Sequence, residues 1–419
     1  MAPFSKSTFP RFAFPKGGSV RAAGVTEAMI RLRDRQVAAY ARWAEASRSA
    51  AEATTADPAE ILDMVAPSAP GGAWAAPGIA EAGADVPPRP ARDGKIADGA
   101  MRTVREALAK AGIGTDPVQA RGGAGRGARP AQAPLPDGAR FETRTFSNAV
   151  GTRTYKVYVP SGFSGQPLPV VVMLHGCTQD PDDFAAGTRM NAVAEEHGFL
   201  VVYPEQPRSA HMQRCWNWYE PRSQRREGGE AALIAGLTRQ VAADFSSDLG
   251  RIYAAGLSAG GAAAAILATT YPDLFAAIGV HSGLACGSAR DVPSAFAAMR
   301  GDNAGAAGPT HAVPLIVFHG DGDRTVHAAN GARVAAQGQP DPEARKSVIE
   351  GRTPDGVAYT RTVRTDASGR AVAEHWVLHG AGHAWSGGSS AGSFTDPRGP
   401  DASREMVRFF LGHTRARTG

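Results

Sequence analysis

From residue 139 onward, short β-branched apolar runs alternate with Ala-rich segments whose apolar positions recur at helical spacing. Phe141–Phe146 and Thr152–Val159 predict an antiparallel opening pair of strands. Pro169–Leu174, Phe199–Tyr203, Arg251–Ala255, Ala276–His281, Val313–His319 and Glu374–His379 predict the others. Helices are expected over Glu230–Phe245, Gly260–Tyr271, Ala328–Gln337 and Asp401–Leu411. Such alternation predicts one α/β domain over 139–414, with a doubly wound, mostly parallel sheet flanked by helices.

The preceding segment has a different texture. Residues 1–24 mix Phe4, Phe9, Phe12 and Phe14 with Pro, Gly and basic residues, without the periodic apolar surface that folding requires. Helical periodicity appears over Thr26–Ala46, where Ile30, Val37, Tyr40, Ala41 and Ala44 share a stripe, and again at Met101, Val104, Leu108 and Ala111. Low-complexity stretches APSAPGGAWAAPG and RGGAGRGARPAQAPLPDG read as linkers. Residues 1–138 are therefore expected to form a partly disordered, helical N-terminal extension, which accounts for much of the Gly and Pro excess (50 and 30 of 419 residues).

Net charge first suggests an anionic partner, since the chain carries a formal +5. Its distribution argues otherwise. Residues 1–135 hold 18 Lys/Arg against 13 Asp/Glu, whereas the remainder holds 27 of each. The α/β body is formally neutral, and scattered arginines without interleaved aromatics or a reading module exclude a nucleic-acid role. Neither an apolar run long enough to span a membrane nor a signal-peptide h-region is evident, so the expectation from the chain as written is cytoplasmic.

The candidate chemistry begins at RIYAAGLSAGG, which reads as strand, G-x-S-x-G and helix, with Ser258 between Gly256 and Gly260. By itself this motif is an ordinary Gly-rich turn as often as a nucleophile elbow; its strand-to-helix context favours the elbow. A serine hydroxyl needs a base, and the base an orienting carboxylate, in the chain order Ser, acid, His. HGDGDRTV offers Asp323 over Asp321, whose bland role is turn formation, and GAGHAWSGG offers His383 on a Gly-flanked loop. His375 and His379 lie on or at the end of a strand, where ordinary hydrogen bonding suffices. The oxyanion needs two N–H donors, assigned to the Ala259 amide and, after VVVMLHGCTQ, the Cys177 amide, with His175 structural. Trp216, Trp218 and Trp385 sit in segments tied to these loops and could line an apolar substrate groove, with Trp216 and Trp385 favoured as substrate contacts. Cys177 has a candidate disulfide partner in Cys215, with two reduced thiols the alternative, while Cys286 reads as a small core residue. Three cysteines without clustered histidines make no zinc site, and the chemistry requires no metal or organic cofactor.

The runs LHGCTQDPDDFAAGTRMNAVAEEHGFLVVYPEQ, RCWNWYEP, AAGLSAGGAAAAILATTYPDLFAAIGVHSGL and EHWVLHGAGHAWSGG, with the closing DASREMVRFFL, carry a resemblance over 140–413. Together they resemble the poly(3-hydroxybutyrate) depolymerase family of esterases, catalytic type 1, related to feruloyl and acetylxylan esterases. The resemblance implies an α/β-hydrolase fold, Ser258, Asp323 and His383 as triad, Cys177 at the oxyanion loop, and a Cys177–Cys215 bridge as in exported members. That last feature leaves an extracellular location open beside the cytoplasmic expectation. This sequence departs from secreted polymer degraders in showing no signal peptide and no C-terminal polymer-binding domain. The expected substrate accordingly moves from crystalline polymer to short-chain polyester, its oligomers or soluble esters. Rival readings are a feruloyl or acetyl esterase of the same mechanism, and a granule- or surface-binding protein using the basic helix Thr26–Ala46.

Overall fold

The computed structural model describes residues 134–302, 313–338 and 344–415. The expected helices Thr26–Ala46 and Met101–Ala111, and all of the extension before residue 134, lie outside the described residues. Twelve strands and seven helices are described. The strands are β1 (Arg140–Asn148), β2 (Gly151–Val159), β3 (Val170–Leu174), β4 (Leu200–Pro204), β5 (Ile252–Leu257), β6 (Ala277–His281), β7 (Leu315–Gly320), β8 (Arg345–Arg352), β9 (Ala358–Thr365), β10 (Ala371–Leu378), β11 (Trp385–Ser386) and β12 (Thr395–Asp396). The helices are α1 (Pro181–Thr188), α2 (Met190–His197), α3 (Gly229–Asp244), α4 (Ala259–Thr270), α5 (Val292–Arg300), α6 (Ala329–Gln337) and α7 (Ala402–Leu411).

Ten strands form one sheet in the order β1-β2-β4-β3-β5-β6-β7-β10-β9-β8. The central strands β4, β3, β5, β6, β7 and β10 run parallel, and antiparallel pairs flank them at both ends. Both faces are covered, which is why the parallel strands read as continuous apolar runs rather than alternating ones. In β3, Val170, Val172 and Leu174 enter the core shared with α3 and α4, while Val171 and Met173 enter the core shared with α2 and α7. This is the doubly wound α/β-hydrolase arrangement, and the antiparallel opening pair is β1 with β2.

The hairpin β8–β9 departs from the sequence expectation. Six of the first positions of RKSVIEGR face solvent and β9 is mostly half-buried, so neither strand has the apolar side that marks a strand in sequence. β9 is secured to the sheet through Glu374 of β10. Its fully buried carboxylate accepts from Arg361 of β9 at 2.9 and 3.0 Å, and from Arg408 of α7 at 2.7 and 2.9 Å. Helices α1 and α2 are two turns each, separated at Arg189, which takes a left-handed conformation (φ 56°). No helix among the described residues is long and apolar enough to cross a membrane.

Candidate active site

Ser258 stands where β5 turns into α4, with φ 57° and ψ −119°. A non-glycine residue in this region carries strain of roughly 1–3 kcal/mol, held by the surroundings. The turn leaves no room beside the serine. A Cβ at Gly260 would run into the Leu174 and His175 carbonyls, and one at Gly256 into the Gly260 carbonyl, so both flanking positions require glycine. The Ser258 amide donates to the His281 carbonyl of the neighbouring β6 at 2.9 Å, and the Ser258 carbonyl accepts from Ala262 of α4 at 2.9 Å.

Asp323 and His383 come from loops after β7 and β10, which are adjacent parallel strands. The loops lean on each other: the Gly322 amide donates to the Ala381 carbonyl at 3.0 Å, and a side chain at Gly320 would strike that carbonyl. His383 Nδ1 lies 2.7 Å from Asp323 Oδ2. Asp323 Oδ1 accepts from the Thr325 and Val326 amides at 2.9 Å each. Burial of this carboxyl raises its pKa, but the hydrogen bond and charge of His383, with the Val326 amide and His319, outweigh that and hold it below the usual Asp range. An ionised carboxylate only accepts, so Nδ1 carries the proton and Nε2 is left as the basic nitrogen. His383 and Ser258 line the same small hollow with Cys177, Gln179 and Phe394.

The alternatives fall elsewhere. Asp321 pairs with His379 at 2.8 Å in an exposed contact and accepts from the Gly380 amide at 2.6 Å. His375 lies within β10, opposite Val317 of β7. His175 is buried; its Nδ1 donates to the Gly176 carbonyl at 2.8 Å and its Nε2 accepts from the Gln206 amide at 3.1 Å. Burial pulls its pKa to about 4, so it is a neutral ring that holds the turn after β3.

That turn carries Gly176 and Cys177. The Gly176 amide donates to Gln179 Oε1 at 2.9 Å and the Thr178 amide to the Gln213 carbonyl at 2.6 Å. Between them, the Cys177 amide has no partner among the described residues, and neither has the amide of Ala259 at the first turn of α4. Cys177 is joined to Cys215 by a disulfide, while Cys286 is a buried free thiol whose pKa burial raises to about 11.

A solvent-open cleft begins at Ser258. Cys177, Cys215, Trp218 and Tyr219 form one wall, and Leu284 with Phe296 and Met299 of α5 the other. The assignment of Trp216 and Trp385 to a substrate groove is therefore corrected. Trp216 is fully buried, its indole N–H donating to the His175 carbonyl at 3.0 Å; Trp385 is 1% exposed, donates to Ser403 Oγ at 3.1 Å and stacks on His281. Both are core residues, and the neighbouring Trp218 and Tyr219 reach the cleft instead. The buried Glu230 of α3 fixes that wall. It accepts from the Asn217 amide at 2.7 Å, from Asn217 Nδ2 at 2.8 Å and from Gln206 Nε2, and pairs with Arg153 at 3.4 Å. No grouping of three His, Cys, Asp or Glu side chains able to hold a metal occurs among the described residues.

Comparison with known proteins adds an independent finding. Residues 153–339 match the family described as Esterase PHB depolymerase. Poly(3-hydroxyalkanoate) depolymerase C of Paucimonas lemoignei is 32% identical over 260 residues, covering 58% of this chain and 61% of that protein. Feruloyl esterase B of Thermothelomyces thermophilus is 36% identical over 140 residues, covering 33% of this chain and 47% of that protein. The chain thus spans between about half and three-fifths of the length of these relatives. Among solved structures, an acetyl xylan esterase from Aspergillus awamori superposes with a TM-score of 0.52 at 19% identity, covering 65% of this chain and 99% of that one, a likeness of fold.

Proposed function

Because residues 153–339 match the family described as Esterase PHB depolymerase, we propose that this chain is a serine carboxylic-ester hydrolase. The reading is carried by one observation: an Asp323–His383 pair at 2.7 Å whose imidazole shares a hollow with an elbow serine. Ser258 Oγ attacks the ester carbonyl carbon while His383 Nε2 takes its proton, and Asp323 stabilises the imidazolium that forms. The carbonyl oxygen, now an oxyanion, receives the unpaired Cys177 and Ala259 amides. Collapse breaks the C–O bond, His383 returns the proton to the departing alkoxide, and the acyl group remains on Ser258. Water, deprotonated by His383, then attacks the acyl carbon; the C–Oγ bond breaks, His383 returns the proton to Ser258 Oγ, and the acid leaves.

His383 must meet the leaving oxygen, so the alcohol departs through the hollow that His383 lines. The larger cleft touches Ser258, Cys177 and Ala259 but not His383, which makes it the acyl side. Its largely apolar walls suit an uncharged short acyl chain, and the similarity to a poly(3-hydroxyalkanoate) depolymerase favours short-chain polyester oligomers as substrate. The similarity to a feruloyl esterase over a shorter span supports the second reading, a feruloyl or acetyl esterase of identical mechanism. Incubation of the chain with 3-hydroxybutyrate oligomers and, separately, with methyl ferulate and acetylated xylan decides between them. Release of 3-hydroxybutyrate is expected; ferulate or acetate release without it would overturn the substrate assignment.

A further inference from the structure

In the acyl cleft, one side chain has a bonding pattern that leaves a fixed donor for the substrate. His211 lines the cleft with Ser258, on the segment that leads to Cys215. Its Nδ1 accepts from the Gln213 amide at 3.2 Å and from the Cys215 amide at 3.3 Å. A ring nitrogen that accepts amide hydrogens carries none itself, so in the neutral ring the proton sits on Nε2. Burial lowers the pKa of this imidazole, which keeps it neutral around pH 7. Nε2 has no partner among the described residues. The ring is also held rigidly: Cys215 is bonded to Cys177, and the Gln213 carbonyl accepts from the Thr178 amide at 2.6 Å. His211 is thus mounted on the same bridge as the Cys177 amide.

We propose that His211 Nε2–H donates to an oxygen carried by the substrate's acyl chain, so that the cleft selects hydroxyacyl esters over plain alkanoyl esters of equal length. An apolar wall alone distinguishes acyl chains by size; a fixed donor adds a requirement for an acceptor, because binding an alkyl chain there strips the N–H of water without replacing it. The inference rests on the ester-hydrolase reading and on the larger cleft being the acyl side.

The test compares kcat and KM for methyl 3-hydroxybutyrate and methyl butyrate in the wild-type chain, H211N and H211Q. Asn places its amide oxygen where Nδ1 stood and keeps the acceptor for the two backbone amides, but withdraws the donor from the cleft. Gln places an amide NH₂ near the position of Nε2. The wild-type chain is expected to prefer the hydroxy ester, H211N to lose about fivefold of that preference through KM, as for one neutral hydrogen bond, and H211Q to recover part of it. A merely structural His211 predicts the opposite pattern: H211N like wild type, and H211Q impaired equally on both esters. That pattern, or an unchanged preference in H211N, overturns the inference. If the wild-type chain hydrolyses neither ester, the short-chain substrate assignment fails and this inference falls with it, whereas hydrolysis of methyl ferulate alone would leave the hydrolase reading standing.

Discussion

Removing the Cys177–Cys215 bridge tests how far the cleft depends on covalent constraint. The two cysteines are 38 residues apart in sequence. Closing a loop of that length in the unfolded chain is worth about 4 kcal/mol in the chain-entropy account. For a domain of this size each kcal/mol corresponds to about 2 °C, so reduction, or the C177A/C215A double substitution, should lower Tm by about 8 °C. The loss should also reach activity, because the bridge couples the turn bearing the Cys177 amide to the segment bearing His211, Trp218 and Tyr219. Scanning calorimetry with and without a phosphine reductant measures the first effect, and ester hydrolysis well below the lowered Tm the second. Thiol titration of the unreduced, denatured chain should find one reactive group, Cys286, out of three cysteines. Three reactive thiols would refute the bridge, and a Tm shift within about 2 °C on complete reduction would refute the entropic reasoning.

Four other substitutions probe three separate parts of the site. D323N should lower kcat by about 10³–10⁴-fold with the fold retained, since a neutral amide no longer fixes the Nδ1–H tautomer of His383. The pKa of Asp323 is depressed in the folded state, so its stabilising contribution is present above the ordinary Asp pKa and is lost as pH falls through the lowered value. In urea titrations across pH, the stability gap between wild type and D323N should therefore close on acidification below about pH 4. E230A should cost about 3–5 kcal/mol in chemical denaturation, because it strands the Arg153 guanidinium and the Asn217 and Gln206 donors in a buried setting. F296A or M299A should widen the acyl cleft at α5 and shift kcat/KM for p-nitrophenyl esters toward longer chains by about tenfold per accommodated methylene; an unchanged chain-length profile would refute the placement of the acyl group.

Much of this arrangement is legible in sequence where burial leaves a pattern. The parallel strands are buried on both faces and appear as continuous apolar runs such as VVVML. The elbow is legible because its steric demands fall on two glycines at fixed spacing. β8 and β9 are not legible, since RKSVIEGR faces water and its strand character comes from pairing with distant residues. Helices α1 and α2 escape notice because each is only two turns long and a left-handed Arg189 breaks the periodicity between them. Tryptophan type signals burial without distinguishing core from cleft: Trp216 and Trp385 are core, and Trp218 with Tyr219 lines the cleft. His211 has no sequence signature: a lone histidine in a polar segment gains its meaning from two backbone amides that only the folded loop brings to Nδ1.

The central claim is that Ser258 is the acylated nucleophile. Treating the chain with a fluorophosphonate and locating the modified residue by peptide mass spectrometry tests it most directly. The expected result is a single adduct on Ser258, loss of ester hydrolysis in step with labelling, and neither labelling nor hydrolysis in S258A. Hydrolysis that persists in S258A, or inactivation with the adduct on another residue, would contradict it.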